Sequence, residues 1–517
     1  MTQGVLPFKY EEAEKQTGLT ALAGLPVYLD LAKVIGLSKS IEKHLKIRKD
    51  TQGWTDAQMI LSLVLLNLTG GDCVDDLKML EADEGFCRIL RRTEMHGLRR
   101  KVRRALERRW RKEKKRSVPS PSAAFRYLAE FHDAEQEELR TQSEIKSFIP
   151  APNEHLKGLG KINRDMLEGL NAVKTQTTAT LDMDATLAET MKQSACYCYK
   201  GFKSYQPLNT WWHEHGLILH TEFRDGNVPA GFDQLRVFKE ALACLPETVE
   251  TVRLRSDTAG YQHDLLNYCE TGVNRRFGRI EFAIGCNVTE AFKAAVAEVT
   301  DAQWQPIYKD KGGVQVKTGS EWAEVCFVPN ALCHAKDAPQ YRYIAKRQRL
   351  EEQQLLPGLE APQHTQLPFP TMEVNEGRYK IFGIVTNIAY EDMDGESVIH
   401  WLHERCGKSE EVHAVMKDDL AGGKMPSADF GENAAWWWIM IIALNLNTMM
   451  KNLALAPSRR TKRMKAIRFS VINIPGRVFE RSHTLFLRLS KGHPAYEILV
   501  EARRKIAMLN GAWAPSG

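Results

Sequence analysis

The sequence has no apolar run long enough to cross a membrane. Its longest apolar-rich stretches are Ile60–Leu68 and Ala434–Leu446, whereas a spanning helix needs ~20 residues. No secretory leader is expected, because Lys9, Glu11, Glu12, Glu14 and Lys15 precede any apolar core. The ten cysteines, at positions 73, 87, 196, 198, 244, 269, 286, 326, 333 and 406, contain no CxxC pair. Zinc sites show paired spacing and disulfide scaffolds are denser, so free thiols in a reducing compartment are expected. No activated Ser or Cys constellation is visible either. What remains is a chain of 517 residues, 43% hydrophobic and 26% charged. Those are globular proportions at a length of roughly three domains.

Net charge is also small, +6 from 71 Lys/Arg and 65 Asp/Glu. It is unevenly placed. Residues Arg88–Arg116 hold fifteen Lys/Arg against three Glu, a local +12, so the rest of the chain sums to −6. A run of one sign repels itself unless a polyanion neutralises it, and nucleic acid is the usual partner, through counterion release from phosphates. Such contacts position a duplex without reading its sequence. Arg459, Arg460, Lys462, Arg463, Lys465 and Arg468 form a second, smaller cluster.

The first ~175 residues read as helical. One helix is expected over Ala23–Leu45, a second over Asp56–Leu68 capped by Thr55 and ended by Gly70-Gly71, and a third over Asp72–Glu84. Ser120 or Ser122 caps another that runs to Phe131. This basic-flanked helical region suits a helix-turn-helix-like DNA reader or a plain helical bundle. From Thr177 the pattern turns to strands at Thr180–Thr186, Leu217–Phe223, Thr251–Asp257 and Arg279–Cys286, with helices at Phe232–Leu245 and His263–Thr271. That order implies a mixed α/β sheet covered on both faces. Asp301–Asn387 reads as a β-rich insertion with strands Val314–Lys317, Trp322–Val328, Tyr341–Ala345 and Lys380–Asn387 around a polar loop, Leu350–Phe369. Helices resume at Ser397–Leu420 and Ala428–Met450.

Three acidic positions stand out. Along the first strand, Thr180, Asp182, Asp184 and Thr186 share one face. Two carboxylates there are costly if the face is dry and unpaired, and a bound Mg²⁺ resolves that cost; a strand end dipping into solvent is the alternative. Asp257 stands where an apolar strand gives way to a glycine-containing turn, at the carboxyl edge of the sheet. Glu410 and Lys417 lie seven apart, two turns along one helix face.

Taken together, acid, acid and acid on a first strand, a later strand and a late helix behind a basic helical region resemble the DDE transposases of bacterial insertion sequences. Asp184-Ala-Thr186 is similar to the family's first-aspartate motif, Leu254-Arg-Ser-Asp257 to its second, and Glu410 with Lys417 to the E(6)K part of its third signature. Gly70–Leu80, Lys424-Met-Pro-Ser427 before the helix with Asn433 and Asn445, and Pro475-Gly-Arg477 resemble the insertion-sequence family numbered thirteen-eighty. The chain departs from the signature where Tyr and Arg precede the glutamate. His403 and Cys406 stand there, with Arg405 one residue out of register.

The resemblance implies a ribonuclease H-like α/β catalytic core with a β-rich insertion, preceded by a mostly helical DNA-binding domain. The parts would be a basic helical domain over 1–175, core segments over 176–300 and 389–456, the insertion over 301–388, and a basic region over 457–517 suited to dimerisation or DNA contacts. It further implies two Mg²⁺ or Mn²⁺ ions held by Asp184, Asp257 and Glu410, with Asp182 competing for the first position. Lys417, Arg405, Arg99, Arg100, Lys101, Arg103, Arg104, Arg108 and Arg109 are the expected DNA contacts. Water would cut the element's ends, and the freed 3′-hydroxyl would then attack target DNA. Cleavage through a hairpin would make Trp304 or Trp322 candidates for stacking on a flipped base, with core packing the expected role of each. The implied partners are terminal inverted repeats, target DNA and a second copy of the chain in the end complex, with no membrane, in a cytoplasmic, nucleoid-associated bacterial protein. The rival readings are a structure-selective metal-dependent nuclease on the same core and a catalytically inactive DNA-binding descendant.

Overall fold

Local chemistry fixes where the first long helix starts and stops. The computed structural model describes residues 17–48, 53–105, 116–142, 147–329, 339–350, 369–374, 377–405 and 408–509, and in it helix α1 spans Asp56–Thr69. Thr55 Oγ1 accepts the Gln58 amide at 3.2 Å while Gln58 Oε1 accepts the Thr55 amide at 3.1 Å. This reciprocal cap satisfies donors that have no partner inside the helix. Gly70 ends the helix at φ 100°, in the left-handed region that favours glycine. The stretch 23–45 forms two helices rather than one, Pro26–Val34 and Leu37–His44, because Gly36 between them takes φ 70°. Over 72–84 a 3₁₀ turn at Val74–Asp76 leads into a short helix, Leu77–Ala82. Ser120 is the cap of Pro121–Leu128. A further helix, α2 (Glu154–Val173), lies outside the elements the pattern predicts.

The central sheet has ten strands. Its main strands are β1 (Thr178–Ala185), β2 (Leu208–Trp212), β3 (Leu217–Glu222), β4 (Thr251–Ser256), β5 (Glu281–Cys286), β6 (Gln305–Asp310), β7 (Gln315–Val325), β8 (Arg342–Arg349) and β9 (Gly377–Thr386). They lie in the order β3-β2-β1-β4-β5-β9-β8-β7-β6, and Thr371–Val374 also pairs with β9. Neighbours from β3 to β1 are antiparallel, β1, β4 and β5 are parallel, and every pairing from β5 to β6 is antiparallel. The strands of the β-rich insertion therefore continue the same sheet. Two strands expected at Val314–Lys317 and Trp322–Val328 are one, β7, whose register shifts between Lys317 and Glu321. Residues 351–368 of the polar loop lie outside the described residues.

After the sheet come helices α3 (Gly395–His403), α4 (Lys408–Ala414) and α5 (Phe430–Met449), ahead of a carboxy-terminal helix, Ala495–Leu509. The single helix expected over 397–420 is thus broken after His403, and α4 runs into a π turn, Val415–Asp419. Helix α5 is buried on nearly every side, as its unbroken apolarity requires. Among the described residues no single helix is long and apolar enough to cross a membrane. Its asparagines carry the polar ties of the core. Asn445 donates to Asn163 Oδ1 at 2.7 Å and to the Ile218 carbonyl at 2.8 Å, and accepts the Ile218 amide at 3.0 Å. Tyr28 Oη donates to Asn447 at 2.8 Å. Such buried groups are costly unless paired, and here they fix α5 against α2 and β3.

Both ends of the described chain meet. Leu19–Thr20 pairs with the strand Gly476–Arg481, and one apolar core runs from Ala23 to Ile506. Arg468 donates to the Asn67 and Leu68 carbonyls at 2.7 and 2.9 Å, placing a cation at the negative end of α1. Eight cysteines are described, all free; Cys333 and Cys406 lie outside the described residues.

Candidate active site

Alternation along β1 sorts its side chains. Leu181 and Met183 enter the apolar core, and Asp182 and Asp184 share the opposite face. Their surroundings then separate them. Asp182 lies directly across from Arg255 of β4, which donates to both carboxylate oxygens, at 2.6 and 2.9 Å. The same guanidinium reaches the Trp401 carbonyl at 2.7 Å, Glu404 at 3.0 Å and His213 Nδ1 at 2.9 Å. Asp182 is therefore occupied by a buried, bidentate partner, and Arg255 ties β1 and β4 to the end of α3.

Asp184 sits two residues further on, at the carboxyl end of the strand. Arg405 Nη2 approaches its carboxylate at 3.4 Å. Burial pushes the Asp184 carboxyl up to about 6; Arg405 opposes the rise, and the charge of Asp257 adds to it. Asp257 follows β4 directly and is exposed, with Oδ1 accepting the Ala259 amide at 3.1 Å. Asp184 and Asp257, hard oxygen donors at adjacent strand ends, are a donor set that Mg²⁺ or Mn²⁺ fits.

Helix α4 covers this region from the other side. Val412 and His413 line a small cleft with Asp182, Asp184, Asn209, Trp211 and Ile218. Burial lowers His413 to about 4, and the charges of Lys417 and Arg405 add to the effect. Lys417 donates to the Leu187 carbonyl at 3.1 Å, just beyond the end of β1. Glu410 is exposed in the first turn of α4. Among the described residues no three His, Cys, Asp or Glu side chains are grouped to hold one ion. The structure thus brings Asp184, Asp257, Arg405 and Lys417 to the carboxyl edge of β1 and β4, and leaves Glu410 at the surface. The π turn changes the expected face of the Glu410–Lys417 pair, since a π turn advances less per residue than an α turn.

Arg255 and His413 escape the sequence reading. His413 had a signal, since it stands three residues after Glu410 and four before Lys417. Arg405 was expected on DNA; it is buried beside Asp184, with Nε lacking a hydrogen-bond partner among the described residues. Both tryptophans take the core-packing role rather than the stacking one. Trp322 is 2% exposed and packs with Ile307, Ile384, Val398 and Ile399. Trp304 is 8% exposed and lies under the Arg347 guanidinium, 4.1 Å from the ring centroid. Neither offers an open ring face to a base.

The basic run divides in two. Its early arginines are used within the fold: Arg91 donates to Ser117 at 2.6 Å, Arg92 to the His483 carbonyl at 2.6 Å, and Arg88 pairs with Glu84. Arg99, Arg100, Lys101, Arg103 and Arg104 are all exposed, while Arg108 and Arg109 lie outside the described residues. In the second cluster, Arg463 and Lys465 are drawn to buried Asp419 at 3.1 and 3.5 Å. Neutralising the five exposed residues is expected to lower the slope of log K against log salt by roughly 2–3 of the ~4.5 units that five full phosphate contacts would give. Titrations of duplex DNA at several salt concentrations measure it, and an unchanged slope would return this segment to a solvated surface.

The profile of the family described as "Transposase DDE domain group 1" matches residues 14–511. The chain belongs to this DDE transposase family. No curated protein gives a significant match. Among solved structures, the transposase is similar to one described as the piggyBac transposase synaptic complex with hairpin DNA, at 11% identity. That match covers 88% of this chain and 82% of the other at a TM-score of 0.41. Membership puts DNA transposition and polynucleotidyl transfer in view, and the transposase's own geometry must supply the rest.

Proposed function

We propose that this transposase cuts DNA at the ends of an insertion sequence and joins the 3′-hydroxyl ends to target DNA. The observation that carries the reading is the meeting of Asp184 and Asp257 at the ends of adjacent parallel strands, close enough for one charge to act on the other. Three antiparallel strands followed by two parallel ones support a ribonuclease H-like core. In this reading Asp184 and Asp257 would hold Mg²⁺ or Mn²⁺ together with Glu410, brought in from the surface position it has here. When bound, the ions supply an activated attacking oxygen and neutralise the departing 3′-oxygen in an in-line displacement.

The chain's own groups do the positioning. Strands β1 and β4, tied by Asp182–Arg255, fix the spacing of the two aspartates. Lys417, at the end of β1, presents an ammonium to the phosphate backbone next to the cut. The exposed residues Arg99–Arg104 hold duplex DNA by its phosphates. Paired ends require two copies of the chain, acting at the nucleoid. The resemblance to the insertion-sequence family numbered thirteen-eighty is the finer family assignment proposed.

The test uses the imperfect inverted repeats that should bracket the gene. A duplex ending in that repeat with a free 3′-hydroxyl is incubated with supercoiled target DNA. Joined product is expected with Mg²⁺ and none after chelation. A protein that cuts the ends and never joins them would be a nuclease on the same core, and the transposition reading would fall.

A further inference from the structure

The segment after β1 forms a hairpin that the site description leaves unused. Its base pairs Ala188–Glu189 with Ser204–Tyr205, and Tyr197 bridges to Lys203 nearer the tip. Cys198 turns inward and is buried, so Tyr197 and Tyr199 on either side of it turn outward, 64% and 78% exposed. Each ring has an ammonium beside it: Lys203 Nζ is 5.8 Å from the Tyr197 centroid and Lys200 Nζ is 5.7 Å from that of Tyr199. Residues 188–205 carry Lys192, Lys200 and Lys203 against Glu189 alone.

The hairpin is held in place. Lys192 donates to the Pro426 carbonyl at 3.3 Å, Ser194 to the Ala428 carbonyl, and the Cys196 amide to Asp225 at 3.2 Å. Lys417 grips the Leu187 carbonyl at its root. Counting four residues from Asp184 to Ala188, across the hairpin base, along to Lys203 and back across to Tyr197, then two residues on to Tyr199, the two tyrosines lie at most about 40 Å from Asp184. That is within the ~4–16 nucleotides that a single-strand binding site spans.

We propose that Tyr197 and Tyr199 form a stacking platform for unpaired nucleotides of the DNA strand running from Asp184, with Lys200 and Lys203 on their phosphates. This rests on the proposed function above. Two exposed rings two residues apart, each flanked by a cation, match the way single strands are held: bases stack on aromatic faces while ammoniums follow the backbone. A protein partner would fit the rings but would not call for an ammonium beside each of them.

The experiment compares blunt duplex DNA with the same duplex bearing a ten-nucleotide single-stranded 3′ overhang, by fluorescence anisotropy with the full chain. Wild type should prefer the overhang. Tyr197→Ala and Tyr199→Ala should each weaken overhang binding roughly 5–100-fold, as loss of one stacked base does, with blunt binding unchanged. Tyr197→Phe and Tyr199→Phe should behave as wild type, since stacking needs the ring and not the hydroxyl. Equal wild-type affinity for the two DNAs overturns the proposal, as do alanine variants that bind the overhang normally or instead change the oligomeric state. Asp184→Asn should keep the overhang preference, so a protein that cuts normally with that change refutes the catalytic reading and leaves the platform standing.

Discussion

End cleavage should fall roughly a thousand-fold or more when Asp184 or Asp257 is replaced by Asn, the scale of losing one member of a catalytic set. Asparagine keeps the shape and, at 257, the oxygen that accepts the Ala259 amide. The loss would therefore report charge and metal binding, not folding. Duplex affinity should stay within about twofold, because the proposed phosphate contacts come from distant basic side chains. Gel assays of cleavage in Mg²⁺, beside anisotropy for binding, give both numbers. Glu410→Gln belongs in the same series. Near-normal cutting by that variant would remove Glu410 from the set and turn attention to His413, which faces Asp184 across the cleft.

Asp182→Ala should behave in the opposite way, with its main effect on stability. The side chains of Asp182 and Arg255 are 3% and 0% exposed, and deleting one partner of a buried ion pair costs about 3–5 kcal/mol. Glu404 still meets Arg255, which puts the expected loss near the lower end. Denaturant unfolding measures it. At a temperature where the variant is folded, cleavage should be impaired far less than in Asp184→Asn. A loss of cutting as deep as that of Asp184→Asn, with stability intact, would make Asp182 a metal ligand.

The paired carboxylates were legible because strand periodicity is two, so Asp182 and Asp184 had to share a face. What divides them was not, since Arg255 is a neighbour only once β1 and β4 lie parallel. The chain places it 73 residues away. Strand β2 hid for a different reason: Leu208, Asn209, Thr210 and Trp212 are all buried, so no alternation marks it. Glycines 158, 160 and 169 diluted the apolar period of α2. The break after His403 and the π turn at 415–419 leave the apolar spacing along 397–420 readable as one helix, so a repeat of 3.6 does not register them. Whether Trp304 and Trp322 were open or buried depended on how the insertion joined the sheet.

The pairing of Leu19–Thr20 with Gly476–Arg481 has a consequence for biosynthesis. Residues 17 and 477, which touch there, are 460 positions apart. At ~5–20 residues per second, the ribosome needs roughly 25–90 s to make the second after the first. Throughout that interval the emerging amino-terminal helices lack the strand and the carboxy-terminal helix Ala495–Leu509 that cover them. A nascent chain stopped short of residue 481 therefore exposes apolar surface that the finished protein hides. Premature termination should yield aggregation and proteolysis, and no free-standing fragment that competes for DNA.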